Sequence, residues 1–212
     1  MIPGQELFNG GILPAISADG RWVTFAASDN TVVPGDTNSA QDVFLRDRGP
    51  TPPHSYCFGD GSSGACPCGN AGSPGRGCQN SRGTGGGQLI ATGAANLSAD
   101  SLSFSFSGGS PATLVILFQG TEAELVAPFG DGLRCVGGFL RRIQARTAAG
   151  GFALFPEAGE PSISARSAIV GDPIPIGATR HYQAYYRDAD PTFCPAGGTA
   201  NSSQAVAVLW EP

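Results

Sequence analysis

Cysteine is the residue type most able to do chemistry in this chain, and four of the six cysteines sit in one stretch. YCFGDGSSGACPCGNAGSPGRGCQNSRG (Tyr56–Gly83) places Cys57, Cys66, Cys68 and Cys78 among glycines and serines, with Cys135 and Cys194 following later. Three chemistries compete for such a stretch: metal binding, thiol redox catalysis and disulfide stapling. Structural zinc sites pair thiolates two to four residues apart, so that one turn supplies two ligands. The spacing here is C-x8-C-x-C-x9-C, and Pro67 between Cys66 and Cys68 offers no amide to a sulfur. Redox catalysis needs C-x-x-C opening a helix, which lowers the thiol pKa, and the chain has no C-x-x-C. Disulfides remain. Six cysteines allow fifteen pairings. Cys66 and Cys68, two apart in an extended segment, are expected to bond outward to Cys57 and Cys78, which leaves Cys135 with Cys194.

Carboxylates are the next candidates. Glu122 and Glu124 in TEAEL, Asp131 in FGDGL, and Asp188 and Asp190 in YRDADP contain the residue types of a glycosidase acid pair. Asp-Gly at 131–132 and Asp-Pro at 190–191 also read as ordinary turn chemistry, the reading preferred here. Asp36, Asn38 and Asp42 offer oxygen ligands of the kind that hold Ca²⁺, without the later Glu of an EF-hand; no other cofactor is expected. The two histidines are His54 and His181, and no G-x-S-x-G elbow accompanies them. Tyr182, Tyr185, Tyr186 and Trp210 are aromatic planes able to stack on sugar rings. On alternating strands about half of such residues face a core.

These residues need a frame. The chain has 212 residues, 41% hydrophobic and only 14% charged, with 32 Gly and 17 Pro. That is the composition of short strands joined by many turns. The formal net charge of −5 argues against nucleic acid as a partner, and no apolar run reaches the roughly 18 residues of a membrane helix. Trp22–Ala27, Val43–Arg46, SLSFSFS (Ser101–Ser107) and TLVILF (Thr113–Phe118) read as strands by alternation or by a short apolar run. Phe139–Ala145, Phe152–Phe155, Ser162–Ile169, Thr179–Arg187 and Ala205–Trp210 are further candidates, and TEAEL is read as a single helical turn. The expected fold is all-β: a disulfide-stapled sandwich or jelly roll over residues 57–212, a Pro-rich linker over 49–56, and a small β-sheet over 1–48.

Residues 12–48 resemble one repeat of the TolB-like (WD40-like) β-propeller family. The matching residues are Ile16-Ser17-Ala18-Asp19-Gly20-Arg21, Val23-Thr24-Phe25, Pro34-Gly35-Asp36-Thr37-Asn38 and Asp42-Val43-Phe44-Leu45-Arg46-Asp47. A propeller needs at least four blades, and the strand that should close this one is replaced by Gly49-Pro50-Thr51-Pro52-Pro53. The resemblance therefore implies missing upstream repeats or another chain as partner. The segments YCFGDGS, CPCGN, GRGCQNS, FGDGLRCVGG, YQAYYRD and VAVLWEP are similar to a Cys-rich carboxy-terminal domain of secreted planctomycete-type bacterial proteins of unassigned function. MIPGQELFNGG carries no signal sequence, so the chain is expected to be a piece of a longer exported protein at the cell surface or outside it. The expected function is a non-catalytic binding or display module whose ligand is carbohydrate or protein. The alternatives are a structural subunit assembling through the blade edge and a polysaccharide hydrolase.

Overall fold

The computed structural model describes residues 12–17, 20–29, 31–38, 40–49, 51–194 and 198–212. The segment MIPGQELFNGG, Ala18 and Asp19 of the repeat-like motif, and Pro50 of the linker lie outside the described residues. Two compact units divide at Thr51 and Pro52.

In the first unit, strands β1 (Ile12–Ile16), β2 (Trp22–Ala27) and β3 (Asp42–Asp47) form an antiparallel sheet in that order. Phe25 pairs with Phe44 and their rings stack at 5.5 Å, while Thr24 faces Leu45 and Ala26 faces Val43. Side chains alternate across a strand, so Phe25 and Phe44 share one face and Val43 and Leu45 share the other. Val43 is 78% exposed, Leu45 63% and Leu13 81%. Among the described residues of this unit, the buried apolar ones are small: Ala26, Ala27 and Val32.

The second unit has three layers. Its central sheet runs β10 (Arg141–Thr147), β7 (Leu114–Gly120), β12 (Thr179–Arg187), β13 (Ala200–Leu209) and β4 (His54–Tyr56). On one face lies a three-stranded sheet, β11 (Ala153–Phe155), β6 (Ser103–Ser107) and β5 (Gln88–Thr92). The principal core fills the gap between them: Leu89, Phe104 and Phe106 meet Val115, Leu117, Tyr182, Tyr186, Val206 and Val208, with Trp210 at one end. SFSFS buries its phenylalanines and keeps its serines half-exposed, the period-2 pattern that the sequence announces. Each large side chain in such a core contributes about 1.5–3 kcal/mol. The hairpin β8 (Glu122–Phe129) and β9 (Gly132–Gly137) lies on the opposite face, where Phe118, Leu133, Val136 and Ala205 pack with Cys57, Cys66, Cys78 and Cys135.

A buried polar chain holds the one described helix, α1 (Ile163–Ile169), to the sheet. The Trp210 indole N–H donates to the Tyr182 hydroxyl (3.2 Å), which donates to Gln119 Oε1 (2.8 Å). Gln119 Nε2 donates in turn to Ser167 Oγ (2.7 Å) and Asp172 Oδ2 (2.6 Å), and Arg180 pairs with Asp172 at 3.0 Å. The indole, hydroxyl, amide and carboxylate groups of this network all find partners, which offsets the cost of burying them; of Arg180, Nε alone is left without one. No helix among the described residues is long and apolar enough to cross a membrane.

The fold is all-β and disulfide-stapled, with three corrections to the elements expected from sequence. Ser162–Ile169, expected as a strand, is the helix α1. Ser162 caps it by accepting from Ala165 N–H, and Ile163 and Ser167, four residues apart, turn one face inward. TEAEL, expected as a helical turn, opens the strand β8. Pairing with β9 across the two-residue turn Gly130-Asp131 overrides its helix propensity. Gly130 has φ +61°, and a Cβ there would meet the Ala200 carbonyl at 2.2 Å. The linker ends earlier than residue 56, because His54–Tyr56 is β4 and pairs with Ala205–Ala207 of β13.

The disulfides join Cys57 to Cys135, Cys66 to Cys78 and Cys68 to Cys194. The expected Cys135–Cys194 bond is therefore wrong, and of the short bridges only Cys66–Cys78 forms. Beyond that one bond the loop does not close on itself. It lies against the start of β13, so closely that a Cβ on Gly77 would stand 2.0 Å from the Ser202 carbonyl. That contact delivers Cys68 to the segment after β12 and Cys57 to β9. Asn70 and Asn201 fasten the packing by donating to the Gln79 carbonyl at 2.7 and 3.0 Å.

Candidate binding groove

On the hairpin face of the central sheet, alternate residues of neighbouring strands open a groove of about 550 Å³. β7 supplies Leu114, Ile116 and Phe118, at every second position, and β12 supplies Tyr185 and Arg187. Phe129 and Arg134 come from the hairpin, Arg141 and Arg142 from the start of β10, and Leu140 from the residue before it. The floor is apolar and the rim is cationic. Phe129 and Tyr185 stand with ring centroids 5.6 Å apart, and the Arg134 guanidinium lies 5.7 Å from the Phe129 ring. Arg134 is also paired to Glu124 at 3.0 Å, and Arg141 lies 3.4 Å over Phe139. Arg142 and Arg187 form no ion pair among the described residues.

Every basic side chain of this protein other than histidine is an arginine, and the groove gathers four of them. Guanidinium groups match carboxylates and phosphates through two parallel N–H bonds and also stack on aromatic faces. The described lining contains no Asp, Glu, His, Ser or Cys, and Tyr185 is its one side chain of a type commonly used in acid–base or nucleophilic chemistry. What it offers is recognition of an anion with an apolar face.

Of the aromatic residues expected to face a ligand, Tyr185 alone lines the groove. Tyr182, Tyr186 and Trp210 are 0–1% exposed and belong to the core, which corrects that expectation. Even positions on β12 point into the core and odd ones to the groove face, so the parity of the strand separates Tyr185 from its neighbours. The arginines do not stand out as a group in the sequence because they come from separate strands; the pair Arg141-Arg142 is the visible sign.

The candidate carboxylates do not converge as a set. Glu122 and Glu124 lie on the exposed strand β8, and Asp190 is exposed, with Oδ1 accepting from the Thr192 N–H and hydroxyl. Asp131 and Asp188 are both fully buried. Burial, and secondarily the Asp188 charge, pushes the Asp131 carboxyl up to about 7. In the first unit, Asp36 Oδ1 accepts from Asn38 N–H and Asn38 Oδ1 from Ala40 N–H, so both act as turn residues, and Asp42 begins β3. His181 Nδ1 stands 2.9 Å from the Tyr56 hydroxyl, and the His54 ring lies 6.2 Å from that of Tyr56. Burial, then the charges of His54 and Arg180, lower the His181 pKa.

Comparison with protein families, with curated proteins and with solved structures found no match. Function must be argued from the chemistry of the groove and its surroundings.

Proposed function

We propose that residues 52–212 are a non-catalytic binding module of an exported bacterial protein, and that the groove takes a carboxylated polysaccharide. Three disulfides fit an oxidising compartment outside the cytosol, and the resemblance to secreted domains extends that to the cell surface or beyond. The observation that carries the reading is the groove's composition: an open Tyr185–Phe129 floor beside Arg142 and Arg187, two cations without an ion-pair partner among the described residues, on a chain of net charge −5. Aromatic planes take the apolar faces of sugar rings, and guanidinium forks take carboxylates. Calorimetric titration with polygalacturonate should give saturable binding that weakens with salt, with little response to a neutral glucan. Arg142→Ala with Arg187→Ala should weaken it at least tenfold, since each charge-assisted bond is worth about 1.5–3 kcal/mol. Equal affinity for neutral glucan, or binding of acidic peptides alone, would overturn the reading.

The exposed Val43 and Leu45 favour a second role for the first unit. Its sheet acts as one repeat of a longer propeller-like array, buried by further repeats or by another chain. The third alternative, a polysaccharide hydrolase, has no support in the described lining of the groove.

A further inference from the structure

Asp131 occupies a two-residue hairpin turn, where an aspartate ordinarily reaches water or its own backbone. Here it is 0% exposed, and neither carboxylate oxygen has a hydrogen-bond partner. Its backbone is fully engaged: the N–H donates to the Ala200 carbonyl (2.6 Å), and its own carbonyl accepts from Asn70 Nδ2 (2.9 Å). The side chain alone is left over. A buried acceptor without a donor is costly, and a buried unpaired carboxylate more so.

A second buried carboxylate is adjacent in the fold. Asp188, also 0% exposed, donates its N–H to the Thr199 carbonyl (3.0 Å), so the two acids are tied to consecutive residues at the start of β13. Asp188 Oδ2 accepts from Ser81 N–H at 2.8 Å, and Oδ1 meets the Ser81 hydroxyl. Neither aspartate has an ion-pair partner among the described residues. The groups bonded to the two aspartates are the Ser81 N–H and hydroxyl, the Asn70 amide and the Thr199 and Ala200 carbonyls, and among the described residues no third His, Cys, Asp or Glu side chain joins them to hold a metal. Soft transition metals are thereby disfavoured. A hard cation that completes its shell with hydroxyl, carbonyl and water oxygens suits the pair, and Ca²⁺ tolerates irregular geometry better than Mg²⁺. Ser81 also lines a cleft beside Arg187, which gives an ion a way in.

We propose that Asp131 and Asp188 hold a calcium ion that clamps the β8–β9 hairpin and the Ser81 loop to the β12–β13 end of the central sheet. This site is separate from the Asp36, Asn38 and Asp42 loop, and it does not depend on what the groove binds. Ca²⁺ bound to the folded state alone raises Tm; at about a hundred times its Kd, the rise for a chain of this size is about 5–10 °C. The test uses the full chain stripped with EDTA, titrated with CaCl₂ alone and separately with TbCl₃, whose luminescence reports a nearby excited tyrosine. Tyr186, buried and within electrostatic reach of both carboxylates, is the donor. One equivalent of Ca²⁺, a Tm rise of that size and Tb³⁺ emission quenched by Ca²⁺ are expected. Asp131→Asn, close in shape, should keep the fold and abolish all three; Asp188→Asn should do the same if the first variant fails to fold. No Ca²⁺ uptake by the stripped wild type at 10-fold over a millimolar Kd, or a Tm shift that persists in a folded variant, would overturn the site.

Discussion

The two units use similar strands to opposite ends. In the second, Phe104 and Phe106 are 0% exposed, while in the first, Val43 is 78% exposed at a strand position of the same kind. The difference lies in what covers the sheet. The central sheet of the second unit is covered on one face by β5, β6 and β11 and on the other by the hairpin and the cystine loop. Among the described residues the three strands of the first unit form one layer that buries only small apolar side chains, and a three-stranded sheet with so little packed against it is marginal in water. The first unit also lacks cysteine and histidine altogether, so cross-links and histidine titration act on one side of the comparison only.

Removing a staple should widen the contrast most. Cys68–Cys194 closes the longest loop, with a separation of 126 residues. In the chain-entropy treatment such a bridge is worth about 5 kcal/mol, a large share of the roughly 5–15 kcal/mol of a typical domain. Cys68→Ser with Cys194→Ser should lower the Tm of the second unit by about 10–20 °C and leave spectroscopic signals from Trp22 unchanged. Thermal melts alongside non-reducing peptide mapping would check this; an unchanged Tm would mean that the loop is held by its asparagine hydrogen bonds instead.

Histidine protonation should produce a smaller effect, also confined to the second unit. Folding holds the His181 pKa below its unfolded value of about 6.5. Protonation therefore favours the unfolded chain. The stability is full above that unfolded value and declines as the pH falls through it towards the lower folded pKa. In the calcium-free chain Asp131, pushed up to about 7, acts in the opposite sense, gaining stability as the pH falls. The clean readout is the difference between wild type and His181→Gln in Tm from pH 8 to pH 5. The wild type should lose more stability on acidification than the variant, and parallel curves would remove His181 from the pH response.

Sequence patterns revealed the strands whose burial is their own doing. SFSFS, TLVILF and WVTFAA announce β6, β7 and β2 because alternation or an apolar run records which side chains are covered. The elements that depend on a distant partner left no such record. β8 is exposed along most of its length and exists through pairing with β9. α1 shows only one buried face, too short for its period to stand out. Cysteine spacing told disulfide from metal but not which cysteines pair, since that depends on how the glycine-rich loop lies against β13. Tyr185 was visible as an aromatic residue, while its role depends on strand parity. Asp131 reads as a turn residue in the sequence and is one; its burial comes from the loop and strand that close over the turn.

Hydrogen exchange on a verified monomer of the full chain is the most direct test of the contrast between the units. Amides of Leu114–Gly120 and Thr179–Arg187 should exchange only through global unfolding, while those of Trp22–Ala27 and Asp42–Asp47 exchange by local opening, orders of magnitude faster. Protection in the first unit that rises with protein concentration would identify its sheet as an assembly surface. Equal, concentration-independent protection of the two units would contradict the claim that the second unit carries its own core and the first does not.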